Sequence, residues 1–150
     1  MNLSLFRYAF VLILLALIGG FFVQIMAVPR LGLSAHTIGV YSGVLLIAVG
    51  AIWQNFHLSL RQASLLKWCW IYSGYANWLC TIVGGVFGAG KMTPIASAGF
   101  VGSPLIENVV AGLLISEAFA SLAAVGLSLW GLRANAITDM ASIIDVTEIK

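Results

Sequence analysis

Long apolar runs alternate with short polar breaks along the chain. A membrane-crossing helix needs about 20 mostly apolar residues, at a rise of about 1.5 Å each. Four stretches meet that need. The first runs from Leu5 to Ala27, interrupted by Arg7 and Gln24, and is broken by Pro29, Arg30 and Gly32. The second runs from Ser34 to Asn55. A polar connection with His57, Ser59, Arg61, Gln62 and Lys67 follows it. The third runs from Leu66 to Gly88, and its exit loop is rich in turn formers, among them Gly90, Pro94, Gly99 and Pro104. The fourth runs from Leu105 to Leu132. Barrel strands are only about 10 residues long and alternate apolar with polar, which these continuous runs do not. The pattern predicts an all-α integral membrane four-helix bundle over 1–133. A polar, mobile cytoplasmic tail is expected over 134–150.

Composition agrees and names the solvent. The chain is 61% hydrophobic and 8% charged, with a mean hydropathy of +1.06. Soluble domains are about 45–50% apolar and about 25% charged, so this chain lacks the polar surface to cover a water-soluble globule. A net charge of +2 without a basic patch excludes a soluble nucleic-acid binder. Four crossings put both termini on one side. Arg7, Arg61, Lys67, Arg133 and Lys150 fall on that side, and only Arg30 and Lys91 on the other. The positive-inside rule then makes the termini cytoplasmic, which in a bacterium means a multi-pass protein of the inner membrane. The first apolar run exceeds the about 7–15 residues of a signal peptide and is read as a retained span. Cys69 and Cys80 lie roughly 16 Å apart along one helix, too far for a disulfide.

In lipid the informative side chains are the polar ones, because each costs free energy unless it is paired or lines a cavity. A first layer is expected near the non-cytoplasmic ends: Gln24, His36 and Thr37, with Glu107 and Asn108 opening the fourth helix. Such residues serve equally as interfacial caps, and an acid near a helix N-terminus suits the dipole. His36 has two readings. It is a structural interfacial side chain, or an imidazole able to bind a metal or haem iron or to shuttle a proton. A second layer lies near the midplane. Ser73, Asn77 and Thr81, spaced by four, form one stripe on the third helix, with Asn77 roughly 15 Å deep. Glu117 is roughly 18 Å into the fourth helix from the opposite end. Either it glues helices together, for instance through Asn77 or Ser73, or it is a proton donor or substrate contact.

Gly39 and Gly43 share a helix face with His36. They allow close helix packing, or they leave room for a flat cofactor beside the imidazole. Trp68 and Trp70 fit an interfacial aromatic belt, while Tyr75 and Trp78 lie deeper and fill the core or wall an aromatic pocket. No phosphate-binding glycine loop, nucleophile elbow or His/Cys metal cluster is present in the sequence.

The run Leu31-Gly-Leu-Ser-Ala-His36, followed by Gly39, Gly43 and Leu45-Leu-Ile-Ala-Val-Gly-Ala-Ile-Trp53, resembles hydroxylaminobenzene mutase. So do Tyr72-Ser-Gly-Tyr-Ala-Asn-Trp78 and the loop Gly88-Ala-Gly-Lys-Met-Thr-Pro-Ile-Ala96. The likeness spans about Val28 to Arg133. More distantly, the chain resembles styrene oxide isomerase in its Ala-His, a glycine seven residues on, and Gly-x-x-Asn in the third helix. The resemblance implies an isomerase that converts an aryl hydroxylamine to an aminophenol without net redox change. From the styrene oxide enzyme it implies haem b as a Lewis acid, an axial ligand at His36, a substrate contact at Asn77, and a trimer. The family patterns differ here at Ile38, Ser42, Ser73 and Thr81, the first and third being acids in relatives. Glu117 has no counterpart in either pattern.

The sequence therefore points to an isomerase of a small aromatic. His36 holds the haem iron, Gly39 and Gly43 make room, and Asn77, Ser73 and Glu117 contact the oxygen that moves. Three alternatives stay open. One is an aryl epoxide isomerase. Another is a non-catalytic haem-binding or electron-transfer subunit, which needs Met26 or His57 as a second ligand. The third is a small multidrug transporter, whose buried acid lies on its first helix, where this chain has none.

Overall fold

The computed structural model describes residues 1–148, with side chains described through residue 133. The tail expected to be mobile, 134–150, lies outside the residues with described side chains. Four long helices and one short one account for the architecture: α1 (Leu3–Phe21), α2 (Pro29–Ala51), α3 (Leu60–Phe87), α4 (Pro94–Ser97) and α5 (Pro104–Glu148). Single 3-10 turns, Val23–Ile25 and Trp53–Asn55, join α1 to α2 and lead out of α2. No strand occurs among the described residues.

Local chemistry sets the boundaries. The Asn2 side chain caps α1 by accepting from the Ser4 and Leu5 amides at 3.1 and 3.3 Å. Pro29, read in the sequence as a breaker, instead starts α2. A first-turn proline loses only an amide that would have no helical partner. α3 begins six residues before the Leu66 expected from hydropathy. The Ser59 and Gln62 side chains cap each other's backbone amides there, at 2.9 and 3.4 Å. Much of the polar connection is thus the first turn of α3. That helix ends at Gly88, whose φ of 70° is left-handed.

α1, α2 and the Pro104–Arg133 part of α5 are long and apolar enough to cross a membrane. α3 is longer than α1 but carries Arg61, Lys67, Ser73, Asn77 and Thr81 along its length. The long helices pack in chain order, α1 on α2, α2 on α3 and α3 on α5. Among the described residues α5 has no packed face with α1 or α2. The main core lies where α1, α2 and α3 meet, at Leu5, Leu12, Leu46, Val49 and Ile71. Close approach of α1 and α2 requires the glycines. A Cβ on Gly39 would stand 2.5 Å from the Ala16 Cβ, and one on Gly43 would strike Ile13.

Candidate functional site

His36 lies in the second turn of α2, half-buried against α1. Its Nδ1 is 2.9 Å from the carbonyl oxygen of Ala16. A carbonyl only accepts, so Nδ1 carries the proton and Nε2 keeps its lone pair. Among the described residues the one sealed side-chain polar atom without a partner is Trp78 Nε1. His36 Nε2, which makes no hydrogen bond, is therefore open. It opens on a groove of about 640 Å³ between α1 and α2, lined by Leu14, Leu17, Ile18, Phe21, Leu33 and Gln24. Gly20 also lines this groove. A Cβ there would lie 2.7 Å from His36 Nδ1, so glycine is what lets the ring reach Ala16.

A second cavity, of about 240 Å³, lies where α2 and α5 flank α3 without a packed face between them among the described residues. Its polar wall is Ser42 from α2, Ser73 and Asn77 from α3, and Glu117 and Ser121 from α5, with Trp70 beside them. Ser73 Oγ donates to the Trp70 carbonyl at 3.2 Å, and Ser121 Oγ to that of Ala118 at 2.9 Å. The Asn77 carbonyl accepts from Thr81 Oγ1 at 2.8 Å, which turns Thr81 back onto its own helix. Among the described residues the side chains of Asn77, Glu117 and Ser42 find no hydrogen-bond partner. Glu117 is accordingly not glued to Asn77 or Ser73. It presents its carboxyl to the cavity.

The structure thus brings Ser73, Asn77 and Glu117 together and sets His36 apart. The two sites share no lining residue. On α2, Leu33 and His36 face one way, and Ser42 and Leu45 lie about half a turn round the helix. Gly39 and Gly43 line neither site. Both are buried in helix contacts, Gly39 also against Trp78. Of the outer polar layer, Gln24 joins His36, but Glu107 does not. Glu107 is 5% exposed and holds the α3–α5 connection. Its Oε1 accepts from the Gly90 and Gly102 amides at 3.0 and 2.9 Å, and its Oε2 from the Lys91 amide at 3.0 Å. Asn108 is exposed, and Thr37 Oγ1 donates to the Leu33 carbonyl at 3.0 Å.

Residues 1–133 match the family model of styrene oxide isomerase. The chain belongs to the styrene oxide isomerase family. It is 40% identical over 130 residues to hydroxylaminobenzene mutase HabB of Ectopseudomonas oleovorans, covering 86% of this chain and 79% of that protein. It is 38% identical over 133 residues to hydroxylaminobenzene mutase HabA of the same organism, covering 88% of this chain and 98% of that protein. No solved structure matches. Mutases are isomerases, and the chain is an enzyme of that class.

For a member of the styrene oxide isomerase family, the donor set can be tested against a haem. No three His, Cys, Asp or Glu side chains gather to hold a bare metal ion among the described residues. A haem asks the protein for one axial ligand and an apolar slot, and the His36 groove offers both. A backbone carbonyl fixing Nδ1 is the usual partner of a ligating imidazole. The residues fit the group. Among the described residues that line the groove, His36 is the one that could hold an iron. Met26 Sδ packs towards Gly32 and Gly85, and His57 sits at the other end of α2, its amide bonded to the Gly131 carbonyl at 3.0 Å. Ser42 stands out in the sequence only as a departure from the family pattern and Ser121 not at all, because a serine in a helix is silent until its neighbours are known.

Proposed function

We propose that the chain is a membrane-embedded, haem b-dependent isomerase that rearranges an aryl hydroxylamine to an aminophenol. The observation that carries this reading is the unpartnered amide and carboxyl of Asn77 and Glu117 in one small cavity. Polar groups at membrane depth are costly unless they are paired or line a cavity, and there they mark substrate sites by default. A cavity of about 150 Å³ holds benzene, so one of about 240 Å³ takes a single ring with a small polar substituent. Asn77 and Ser73 offer hydrogen bonds to the oxygen that moves, and Trp70 offers an aromatic wall. Glu117 brings a carboxyl to the cavity edge where Ser73 stands in place of the acid of relatives. The mutase relatives favour a hydroxylamine over the epoxide suggested by the family's name.

His36 Nε2 would hold the haem in the apolar groove that the leucines and Phe21 line. When bound, the haem supplies a Lewis-acid iron for a heteroatom lone pair. The groove and the polar cavity open on opposite sides of α2. Both act on one substrate only when a second copy supplies the missing face, so the active form is a homo-oligomer, a trimer by family resemblance. α3 is the fourth crossing, flanked along its length by α2 and α5. Both termini then lie on the cytoplasmic side of a bacterial inner membrane, with Arg133 stacked on Trp130 and Lys67 over Trp68 at that interface.

The test is aminophenol formation from phenylhydroxylamine by purified protein loaded with haem, with no other cofactor. A Soret band lost on His36→Ala and turnover lost with it are expected. Haem-loaded protein that leaves the hydroxylamine unchanged would defeat the reading.

A further inference from the structure

Three features remain after the site has been described: the sealed indole N–H of Trp78, the three-amide cradle around Glu107, and the carboxyl of Glu117. The first two face packed protein. Glu117 faces a cavity, and it is the one carboxyl or imidazole among the described residues that line it. Among the described residues that line the cavity none is a cation that could neutralise it. From α2 come Ser42 and Leu45, and from α3 come Trp70, Ser73, Gly74 and Asn77. Among the described residues Cys80 on α3 also lies close enough to feel its charge. Among the described residues this carboxyl has neither a hydrogen-bond partner nor an ion-pair partner, so its proton is free to move to and from whatever fills the cavity.

A hydroxyl shift needs such a proton. We infer that Glu117 is the acid that protonates the departing hydroxyl of the substrate and the base that recovers that proton when the oxygen rejoins the ring. The inference rests on the reading of the chain as a hydroxylamine mutase. As the N–O bond breaks, its electron pair leaves with oxygen, and the oxygen takes the Glu117 proton. This leaves water, a carboxylate and an electron-deficient aryl nitrogen. As the water oxygen forms a C–O bond to the ring, it returns one proton to the carboxylate. The hydrogen on that ring carbon then passes to nitrogen, restoring aromaticity as the aminophenol. One N–O bond is exchanged for one C–O bond, no electron is gained or lost overall, and Glu117 ends as it began. Asn77 and the serines hold the oxygen near the ring but have no proton to lend at neutral pH.

Substituting Glu117 breaks no hydrogen bond among the described residues, so its variants are suited to kinetics. With phenylhydroxylamine and haem-loaded protein, Glu117→Gln is expected to lower kcat by about 10²-fold or more, with KM changed far less. Glu117→Ala is expected to fall as far and to regain rate with added formate, which a merely structural role would not allow. Wild-type rates in Glu117→Gln, or an Ala variant that formate leaves unmoved, would overturn the inference. Wild-type protein that makes no aminophenol would instead defeat the underlying reading, whatever Glu117 does.

Discussion

His36 shows how one side chain acquires a role from its partner. The imidazole alone is equally a structural residue and a ligand, and the sequence left both readings open. The Ala16 carbonyl decides the tautomer and leaves Nε2 with a lone pair beside an apolar groove. Gly20 is part of that device, and nothing in its own sequence context marks it. Gly20→Ala should push the ring off Ala16, since the new methyl would sit 2.7 Å from Nδ1. Loss of such an outer partner typically weakens binding about 10- to 100-fold. Haem titration followed at the Soret band should show that weakening, and unchanged affinity would separate Gly20 from the ligand's orientation. Glu117 was visible in the sequence as a buried acid, but its lack of a partner was not. That depends on how far α5 stands from α2.

At the scale of elements, capping and polar anchoring correct what hydropathy alone suggests. Hydropathy averages over a window, so it put the start of α3 at Leu66 and missed the Ser59–Gln62 cap. Glu107 is the clearest case. Its place at the start of a helix suggested a favourable dipole contact. The structure gives it three backbone amides, from Gly90 and Lys91 far back in the chain and from Gly102 five residues back, which only folding brings together. Charge-assisted bonds of this kind contribute about 1.5–3 kcal/mol each, and buried amides left bare cost about as much. Glu107→Ala should therefore lower stability by about 3 kcal/mol or more, measured by denaturant unfolding in detergent. Glu107→Gln keeps one acceptor and should lose less. Equal stability of all three proteins would show that the loop is held by other contacts, such as Ser97 Oγ to the Gly90 carbonyl.

For the whole molecule, the decisive fact is the order of packing. Because α5 rests on α3 and not on α2, a polar cavity remains between them, and the His36 groove opens on the far side of α2. The proposed reaction, which uses both, calls for one of them to come from a second copy. His36→Ala and Asn77→Ala should each be nearly inactive alone. Coexpressed, they should regain part of the wild-type aminophenol rate, because mixed oligomers contain some intact pairs. A coexpressed mixture no more active than either variant would place both halves within one chain. The sequence by itself determined the solvent, the helical class and the few polar residues worth following, because a scarcity of charge and the length of apolar runs are properties of composition and order. It also carried the family likeness through His36 and Asn77. Only the tertiary structure decided which of those residues meet. Helix faces and partners depend on rotation and packing between elements distant in the chain, and no local pattern records them. Hence Glu107 became a loop anchor, Gly39 and Gly43 became packing contacts, and His36 was parted from Asn77 and Glu117.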